Sequence, residues 1–183
     1  MQWKTLKSAA ILKTDFFTIH QDQCLKPDGG IVAAYYTIDQ PNAAVIAAFT
    51  KEKEIILIKQ YRHPVKSIST EIPAGHINPD ETNLIQAAER ELLEETGYKP
   101  SKILALNQSW ASAGIMSNQV DFFIGLNCEK IQDQNLDPHE NIDTFLTPWT
   151  TAADIIEKHN IKDLGSITSL FLAEQYFKDH DLS

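Results

Sequence analysis

Apolar residues in the first third of the chain alternate with polar ones or form short continuous runs, and both patterns are typical of β-strands. One alternating stretch begins at Phe16 and ends before Cys24, and a second strand is predicted over residues 31–38. The sequence PDGG at residues 27–30 is a strong turn signal. We therefore expect the two strands to form a hairpin.

The pattern continues along most of the chain. Residues 43–49 are almost wholly apolar, which predicts a strand buried on both faces. Further strands are predicted over residues 54–61, 103–110, 120–126 and 142–146. Thr147-Pro148 is predicted to open a helix that runs to about His159, because proline is favoured at early helical positions. Gly165-Ser166 is predicted to open a last helix.

One helix between these strands has clear boundaries. Asn83 is a good N-cap and Gln86 stands three residues later, as in a capping box. Gly97 predicts the C-terminal end. Its buried stripe is formed by Leu84, Ala88 and Leu92.

Strands on both sides of this helix, with further helices at the end, indicate an α/β fold in which a mixed sheet lies between helices. The chain shows no internal repeat and no linker. We therefore expect residues 1–183 to form a single domain. An N-terminal strand and hairpin segment would cover about residues 1–40, and a core would cover residues 41–183.

The net charge of −9 argues against nonspecific binding to nucleic acid or to anionic membranes, because both require clustered Lys and Arg. Cys24 and Cys128 are isolated and suggest free thiols in a reducing compartment. The first residues are not followed by the apolar core of a signal peptide, and no apolar run could span a bilayer. We expect a cytoplasmic protein.

The predicted helix carries a cluster of carboxylates. Glu91, Glu94 and Glu95 stand at positions i, i+3 and i+4, so they project from one face within about one turn. Such like charges repel, but a divalent cation between them would remove the repulsion, and Mg²⁺ prefers oxygen ligands. The alternative is a solvated helix face with an Arg90–Glu94 ion pair worth about 0.3 kcal/mol.

The segment GHINPDETNLIQAAERELLEETGY, residues 75–98, resembles the Nudix box of hydrolases that cleave nucleoside diphosphate derivatives. Gly75 and Glu81 have the spacing of that pattern, and residues 90–98 match its second half. The chain departs from the pattern in the middle, because eight residues instead of seven separate Glu81 from Arg90. We expect the extra residue near the junction of loop and helix, with the three helical glutamates unaffected.

The resemblance implies an α/β/α sandwich with a mixed β-sheet and an N-terminal β-hairpin extension. It also implies that Glu91 and Glu95 are the first ligands of Mg²⁺, with Mn²⁺ as the alternative ion. The backbone carbonyl of Ala74 would be a further ligand. Glu94 would be a shared ligand or the general base. Arg90 would hold Glu94 or Glu91 in place, unless it forms only a surface ion pair.

Other candidate residues lie outside the box. The resemblance suggests Glu140 as the general base, with Asp137 as the second choice; the alternative is that Glu140 is a solvated loop acid. Arg62 and Glu71 are the candidate substrate-binding residues: Arg62 suits a phosphate, and the alternative is that the two form only an ion pair. Tyr36 and Trp110 could stack on a nucleobase, although aromatic residues in strands are more often core. His76 is expected to be an ordinary surface histidine.

Motifs QYR at residues 60–62 and EIPAG at residues 71–75 resemble the ADP-ribose pyrophosphatase branch of the family. So do the N-terminal Trp3 with its hairpin and the stretch GSITSL at residues 165–170. That branch often carries Ser-Pro-Gly about sixteen residues after the box, where this chain has Ser112-Ala113-Gly114. The resemblance implies conversion of ADP-ribose to AMP and ribose 5-phosphate by a homodimer. The alternatives are a nucleotide-sugar pyrophosphatase and a nucleotide sensor without turnover.

Overall fold

The computed structural model describes residues 1–181. Its residues divide into two compact units. The first contains Met1–Asn42 and Ser109–Gln119, and the second contains Ala43–Gln108 and the described part of Val120–Ser183. The expectation of a single domain over residues 1–183 stays a prediction.

The first unit is built on a three-stranded antiparallel sheet in the order β1-β2-β3. The strands are β1 (Lys4–Lys13), β2 (Thr18–Leu25) and β3 (Ile31–Asp39). The predicted hairpin is confirmed as β2 and β3, although Phe16 lies in the bend before β2 rather than in the strand. Strand β1 lies within the predicted N-terminal strand and hairpin segment, but its bounds were not predicted; all ten of its residues are exposed.

The second sheet has eight strands in the described chain and runs in the order β11-β5-β4-β10-β8, with β6 on β5, β7 on β4 and β9 on β10. The β4–β10 pair is parallel and the pairs β4–β5 and β5–β11 are antiparallel, so the sheet is mixed as predicted. Its strands are β4 (Ala43–Thr50), β5 (Glu54–Arg62), β6 (Ser67–Glu71), β7 (Ala74–His76), β8 (Tyr98–Lys99), β9 (Lys102–Trp110), β10 (Gln119–Lys130) and β11 (Ile142–Pro148).

Helices cover both faces of this sheet: α1 (Leu84–Thr96) on one, and α2 (Ala152–His159) with α3 (Leu164–Asp179) on the other. Side chains of β4 alternate between the two cores. Ile46 packs with Leu92 of α1, and Val45 packs with Leu170 of α3. The α/β/α sandwich is thereby confirmed, and β4 is buried on both faces as its apolar run predicted.

The start of α2 was predicted wrongly. Thr147 and Pro148 end β11, where Pro148 lies opposite Glu54, and α2 begins only after Thr151, whose hydroxyl accepts a bond from the Asp154 N–H at 3.1 Å. Proline has no backbone N–H, so it is tolerated both in the first turn of a helix and on an edge strand such as β11. Pro148 therefore did not distinguish a helix start from a strand end. The last helix begins at Leu164, capped by Asp163, one residue before the predicted start.

The ends of α1 agree with the prediction. The Asn83 side chain accepts bonds from the backbone N–H groups of Ile85 and Gln86 at 3.1 and 3.3 Å. Gly97 adopts a left-handed backbone with φ +77°, and its N–H donates to Leu93. A Cβ on Gly97 would lie 2.1 Å from the Gln132 carbonyl oxygen, so the close approach of that chain segment also requires glycine. These two caps fix where α1 begins and ends, while Ala87, Ala88 and Leu92 form the face that packs on the sheet.

Candidate active site

A polar cavity of about 630 Å³ lies beside α1 in the second unit. Its walls come from the ends of β5 and β7, the exposed face of α1 and the loop between β10 and β11. The fold thus gathers most of the predicted site residues around one space, namely Arg62, Ala74, Arg90, Glu91, Glu94, Glu95 and Glu140. Glu71 is 4% exposed and does not line the cavity.

Glu91 packs directly against Gly75 of β7. A Cβ on Gly75 would lie 2.1 Å from the Glu91 carboxylate carbon and from one of its oxygens. Glycine at this position therefore makes the space in which the carboxylate sits. A side chain at residue 75 would therefore force the Glu91 carboxylate to move from its present position.

Two of the carboxylates are poorly solvated. Burial raises the pKa of Glu91 to about 7, although Arg90 opposes the rise. Glu95 is 3% exposed, and burial holds its pKa well above the ordinary value, although the Ala74 N–H donates to its carboxylate at 3.0 Å. Buried carboxylates are costly without a positive partner. Arg90 gives Glu91 one positive partner, but burial still dominates at both residues. A cation would supply a further partner to both carboxylates, so this donor set fits a hard divalent ion.

Arg90 connects the carboxylates on the open side. Its Nη1 lies 2.8 Å from Glu94 and 2.9 Å from Glu91. Its Nε and Nη2 donate to the two oxygens of Glu81 at 2.8 and 2.9 Å, and Nη2 also donates to the His76 carbonyl at 3.2 Å. The expected role of Arg90 in holding Glu91 and Glu94 is consistent with these bonds. His76 itself is exposed, as expected.

The extra residue between Glu81 and Arg90 leaves their contact intact. The bidentate bond from Arg90 lowers the pKa of Glu81 to about 2. The Asn78 N–H adds a further bond to Glu81 at 2.8 Å. The loop between β7 and α1 therefore absorbs the insertion without moving Glu81 away from the helix.

The carboxylates of the cavity are not grouped in the geometry of a bound metal ion. Within residues 1–181 no three His, Cys, Asp or Glu side chains are grouped so that they could hold a metal ion. Glu91 and Glu94 turn toward Arg90, and Glu95 accepts its bond from Ala74. A cation would compete with these bonds for the carboxylate oxygens. Magnesium binding by these residues stays a prediction.

Arg62 and Glu71 form the ion pair that the sequence analysis gave as one alternative. Arg62 donates from Nε at 3.0 Å and from Nη2 at 2.6 Å, and Gln60 adds a bond to the same carboxylate at 3.2 Å. Glu71 lies behind Arg62, whose side chain is 46% exposed at the cavity wall. Arg62 is thus oriented toward the cavity by a buried partner, and its role toward a phosphate stays a prediction.

The loop between β10 and β11 brings both base candidates, Asp137 and Glu140, to the cavity. The Glu140 N–H donates to the Asp137 carbonyl at 2.9 Å, and the Asp137 N–H donates to the Glu140 carboxylate at 3.0 Å. Glu140 lines the same cavity as Glu91 and Glu95, and its negative charge adds to the rise of their pKa values, which burial mainly causes. Glu140 is an exposed loop residue at the cavity, so its role as base and the alternative of a solvated loop acid both stay predictions.

Some residues at the cavity were missed by the sequence analysis. Gln60, Asn78 and Asn135 line it, but single amides at strand ends and in loops carry no periodic signal. Tyr36 and Trp110 belong to the first unit and are 50% and 67% exposed, so the expectation that such aromatics are core does not hold for them.

A model of the NUDIX domain matches residues 39–170. The chain belongs to the Nudix family. A second model, the nucleoside diphosphate sugar hydrolase N-terminal domain, matches residues 3–38. The boundary between the two matches falls at the end of β3, close to the predicted division near residue 40.

Relatives of this Nudix protein carry different names. It is 26% identical over 164 residues to the ADP-ribose pyrophosphatase of Bacillus subtilis (strain 168), which covers 89% of this chain and 88% of that protein. It is 27% identical over 176 residues to the methanol dehydrogenase activator of Bacillus methanolicus, covering 96% and 92%. It is 26% identical over 174 residues to the GDP-mannose pyrophosphatase of Escherichia coli (strain K12), covering 87% and 88%.

A crystal structure described as an ADP compounds hydrolase superposes with a TM-score of 0.88 over 100% of this chain and 98% of that one, at 19% identity. This likeness establishes the fold. The family match and the named relatives make the protein a Nudix hydrolase of the ADP-ribose and nucleotide-sugar pyrophosphatase type. Among residues 1–181, no helix is long and apolar enough to cross a membrane.

Proposed function

We propose that the protein hydrolyses the pyrophosphate bridge of ADP-ribose and releases AMP and ribose 5-phosphate, with Mg²⁺ as the cofactor and Mn²⁺ as its alternative. The observation that carries this proposal is the pair of buried carboxylates, Glu91 and Glu95, on the wall of a polar cavity. Such a pair is expensive for the protein unless a cation and the phosphates it binds occupy the space.

The ligands of the cation would be Glu91, Glu95 and Glu94, with the Ala74 carbonyl oxygen. When bound, the cation neutralises the charge of the pyrophosphate and lowers the pKa of the attacking water. The protein supplies the positioning. Gly75 makes room for the Glu91 carboxylate, and Arg90 restrains Glu94 through the 2.8 Å bond.

The remaining groups act on substrate and water. Glu140 lines the same cavity as the carboxylate pair and is our candidate for accepting the proton of the attacking water. Arg62 would bind a phosphate with the part of its guanidinium that Glu71 does not occupy. Glu71 acts through Arg62, since its carboxylate is buried behind that residue.

Two substrates are considered, ADP-ribose and a nucleotide sugar, and we propose the first. ADP-ribose is favoured by the QYR and EIPAG motifs, while a nucleotide sugar is favoured by the N-terminal match at residues 3–38. Identities of 26% to an ADP-ribose pyrophosphatase and to a GDP-mannose pyrophosphatase do not separate the two. A sensor without turnover is disfavoured, because all three box glutamates are present at the cavity.

The test is product chromatography with Mg²⁺ on ADP-ribose, several nucleotide sugars, NADH, dinucleoside polyphosphates and nucleoside triphosphates. AMP released from ADP-ribose at a kcat/KM well above the others supports the proposal. Higher kcat/KM for a nucleotide sugar would move the protein to the alternative. Tight binding without turnover of any compound would support the sensor and refute the hydrolase.

We also propose that the protein is a homodimer that uses its first unit. All ten residues of β1 are exposed, among them the apolar Leu6, which is 45% exposed, and Ile11, which is 52% exposed. Trp3, directly before β1, is also 45% exposed. A sheet of three strands with such a surface needs a partner to bury it. Light scattering after gel filtration should give twice the 20.6 kDa mass of one chain. A monomer at micromolar concentration would refute the dimer.

A further inference from the structure

One amide side chain ties the loop between β10 and β11 to the end of α1. Gln134 directs its Nε2 at the Glu95 carbonyl oxygen, at the Ile142 carbonyl oxygen at 3.0 Å and at the Thr144 hydroxyl at 3.1 Å. The Thr144 hydroxyl in turn donates to the Glu95 carbonyl at 3.3 Å. The two N–H hydrogens of one amide thus serve three oxygens from α1 and β11.

These bonds matter because the last carbonyl groups of a helix have no partner within it. In α1 the loop supplies them. The Asn135 N–H donates to the Glu94 carbonyl at 2.9 Å, and the Ile131 N–H donates to the Gly97 carbonyl at 3.0 Å. Gln134 is a side-chain donor from the same loop, and one of its targets is the backbone carbonyl of Glu95, a proposed cation ligand.

The same loop enters the cavity immediately afterwards. Asn135 lines the cavity next to Gln134, and Asp137 and Glu140 follow within the same loop. Beyond residue 141 the chain joins β11, whose first residue Ile142 is the second target of Gln134. Gln134 therefore anchors the loop between β10 and β11 within the loop itself, directly before Asn135, the first residue of the loop that lines the cavity.

We propose that Gln134 is a positioning residue, which sets the distance between Glu140 and the carboxylates of α1 by joining their loop and helix. The inference rests on the proposed function, since it takes Glu140 as the group that accepts the proton. Gln134 itself does not reach the cavity wall. Its effect on the reaction therefore passes through the loop.

The first experiment replaces Gln134 with Leu, which keeps the size and removes the donors. We expect kcat to fall about 10- to 100-fold, because small displacements of a catalytic group cost this much. We expect KM to change less than about threefold, because Arg62 and the cation ligands remain. The matched control is Gln132→Leu, an exposed amide of the same loop outside this network, which should keep wild-type kcat. A wild-type kcat for Gln134→Leu would overturn the inference.

A double-mutant cycle separates positioning from general destabilisation. If Gln134 acts through Glu140, the Gln134→Leu change should cost less than about twofold in kcat when Glu140 is already Gln. The full 10- to 100-fold loss in that background would refute the proposed route. Thr144→Val is a second, milder variant, because valine suits a strand and removes only the hydroxyl; it should lower kcat in the same direction by a smaller factor.

A measurement without turnover keeps the inference separate from the proposed function. Hydrogen exchange should show faster exchange of the Ile131 and Asn135 amides in Gln134→Leu than in wild type, with the amides of β4 unchanged. Equal protection in the two proteins would refute the anchoring whatever the activity. If wild type hydrolyses no compound of the panel, the proposed function fails, and exchange alone then decides whether Gln134 anchors the loop.

Discussion

The buried charge of Glu91 gives a prediction whose sign and size follow from the structure. Burial raises its pKa from 4.5 to about 7, so between these values the folded protein holds a proton that the unfolded chain has lost. The free energy of unfolding must then fall as the pH rises through this window, and the full cost is present above about pH 7. Glu91→Gln mimics the protonated form and should remove that cost.

At about 1.4 kcal/mol per pKa unit, the rise from 4.5 to about 7 corresponds to roughly 3 kcal/mol. The Glu91 side chain is 13% exposed, so solvent screens little of this, although reorientation toward water reduces it to about 1–3 kcal/mol. For a chain of this size, we expect Glu91→Gln to raise the Tm by about 3–10 °C at pH 8 without divalent ions.

The assay is thermal unfolding in EDTA at pH 8 and at pH 5, with and without Mg²⁺ at pH 8. At pH 5 most of the gain should vanish, because wild-type Glu91 is then already protonated in the fold. Mg²⁺ should stabilise wild type at pH 8 and stabilise Glu91→Gln much less. Glu89→Gln, on the same helix and paired with Lys99, is the matched control and should not gain stability. A Tm for Glu91→Gln at or below wild type at pH 8 in EDTA would refute the reasoning.

Three further changes test the site and its helix. Glu95→Gln should keep the far-UV spectrum and lower Mg²⁺-dependent kcat by at least about 100-fold; wild-type turnover would defeat the ligand assignment. Gly75→Ala should displace the Glu91 carboxylate, since the new Cβ would lie 2.1 Å from it, and turnover should fall while the Tm changes little. Gly97→Ala should instead destabilise the fold by about 1–3 kcal/mol in urea unfolding, because φ +77° and the Gln132 carbonyl both oppose a side chain; an unchanged midpoint would contradict this.

Local sequence signals were sufficient to predict the helix that carries the three glutamates. Asn83 and Gly97 act within one turn of their own positions, so the ends of α1 follow from the chain alone. The spacing of Glu91, Glu94 and Glu95 placed them on one face for the same reason. The apolar run at residues 43–49 indicated a strand buried on both faces, because a strand with one face in water would alternate apolar and polar residues.

Elements without a periodic pattern were not predictable in this way. The exposed strand β1 shows no alternation, and its pairing with β2 is what makes it a strand. Residues Thr147 and Pro148 suit a helix start as well as a strand end, and the hydrogen bonds of β11 to β5 decide between them. Both β1 and the end of β11 are therefore determined by pairing with strands elsewhere in the chain and not by their own sequence.

The sequence by itself determined the family, the sandwich of helices and sheet, and the helix that carries the three glutamates. Tertiary structure alone decided how these groups are held. The contact of Gly75 with Glu91, the burial of Glu71 behind Arg62 and the bond of Gln134 to the end of α1 each join residues from separate elements. These contacts could not be decided from the sequence alone because they depend on tertiary packing. Packing decides which surfaces exclude water from a carboxylate and which hydrogen-bond donors lie next to it, and these two factors set its pKa and its orientation.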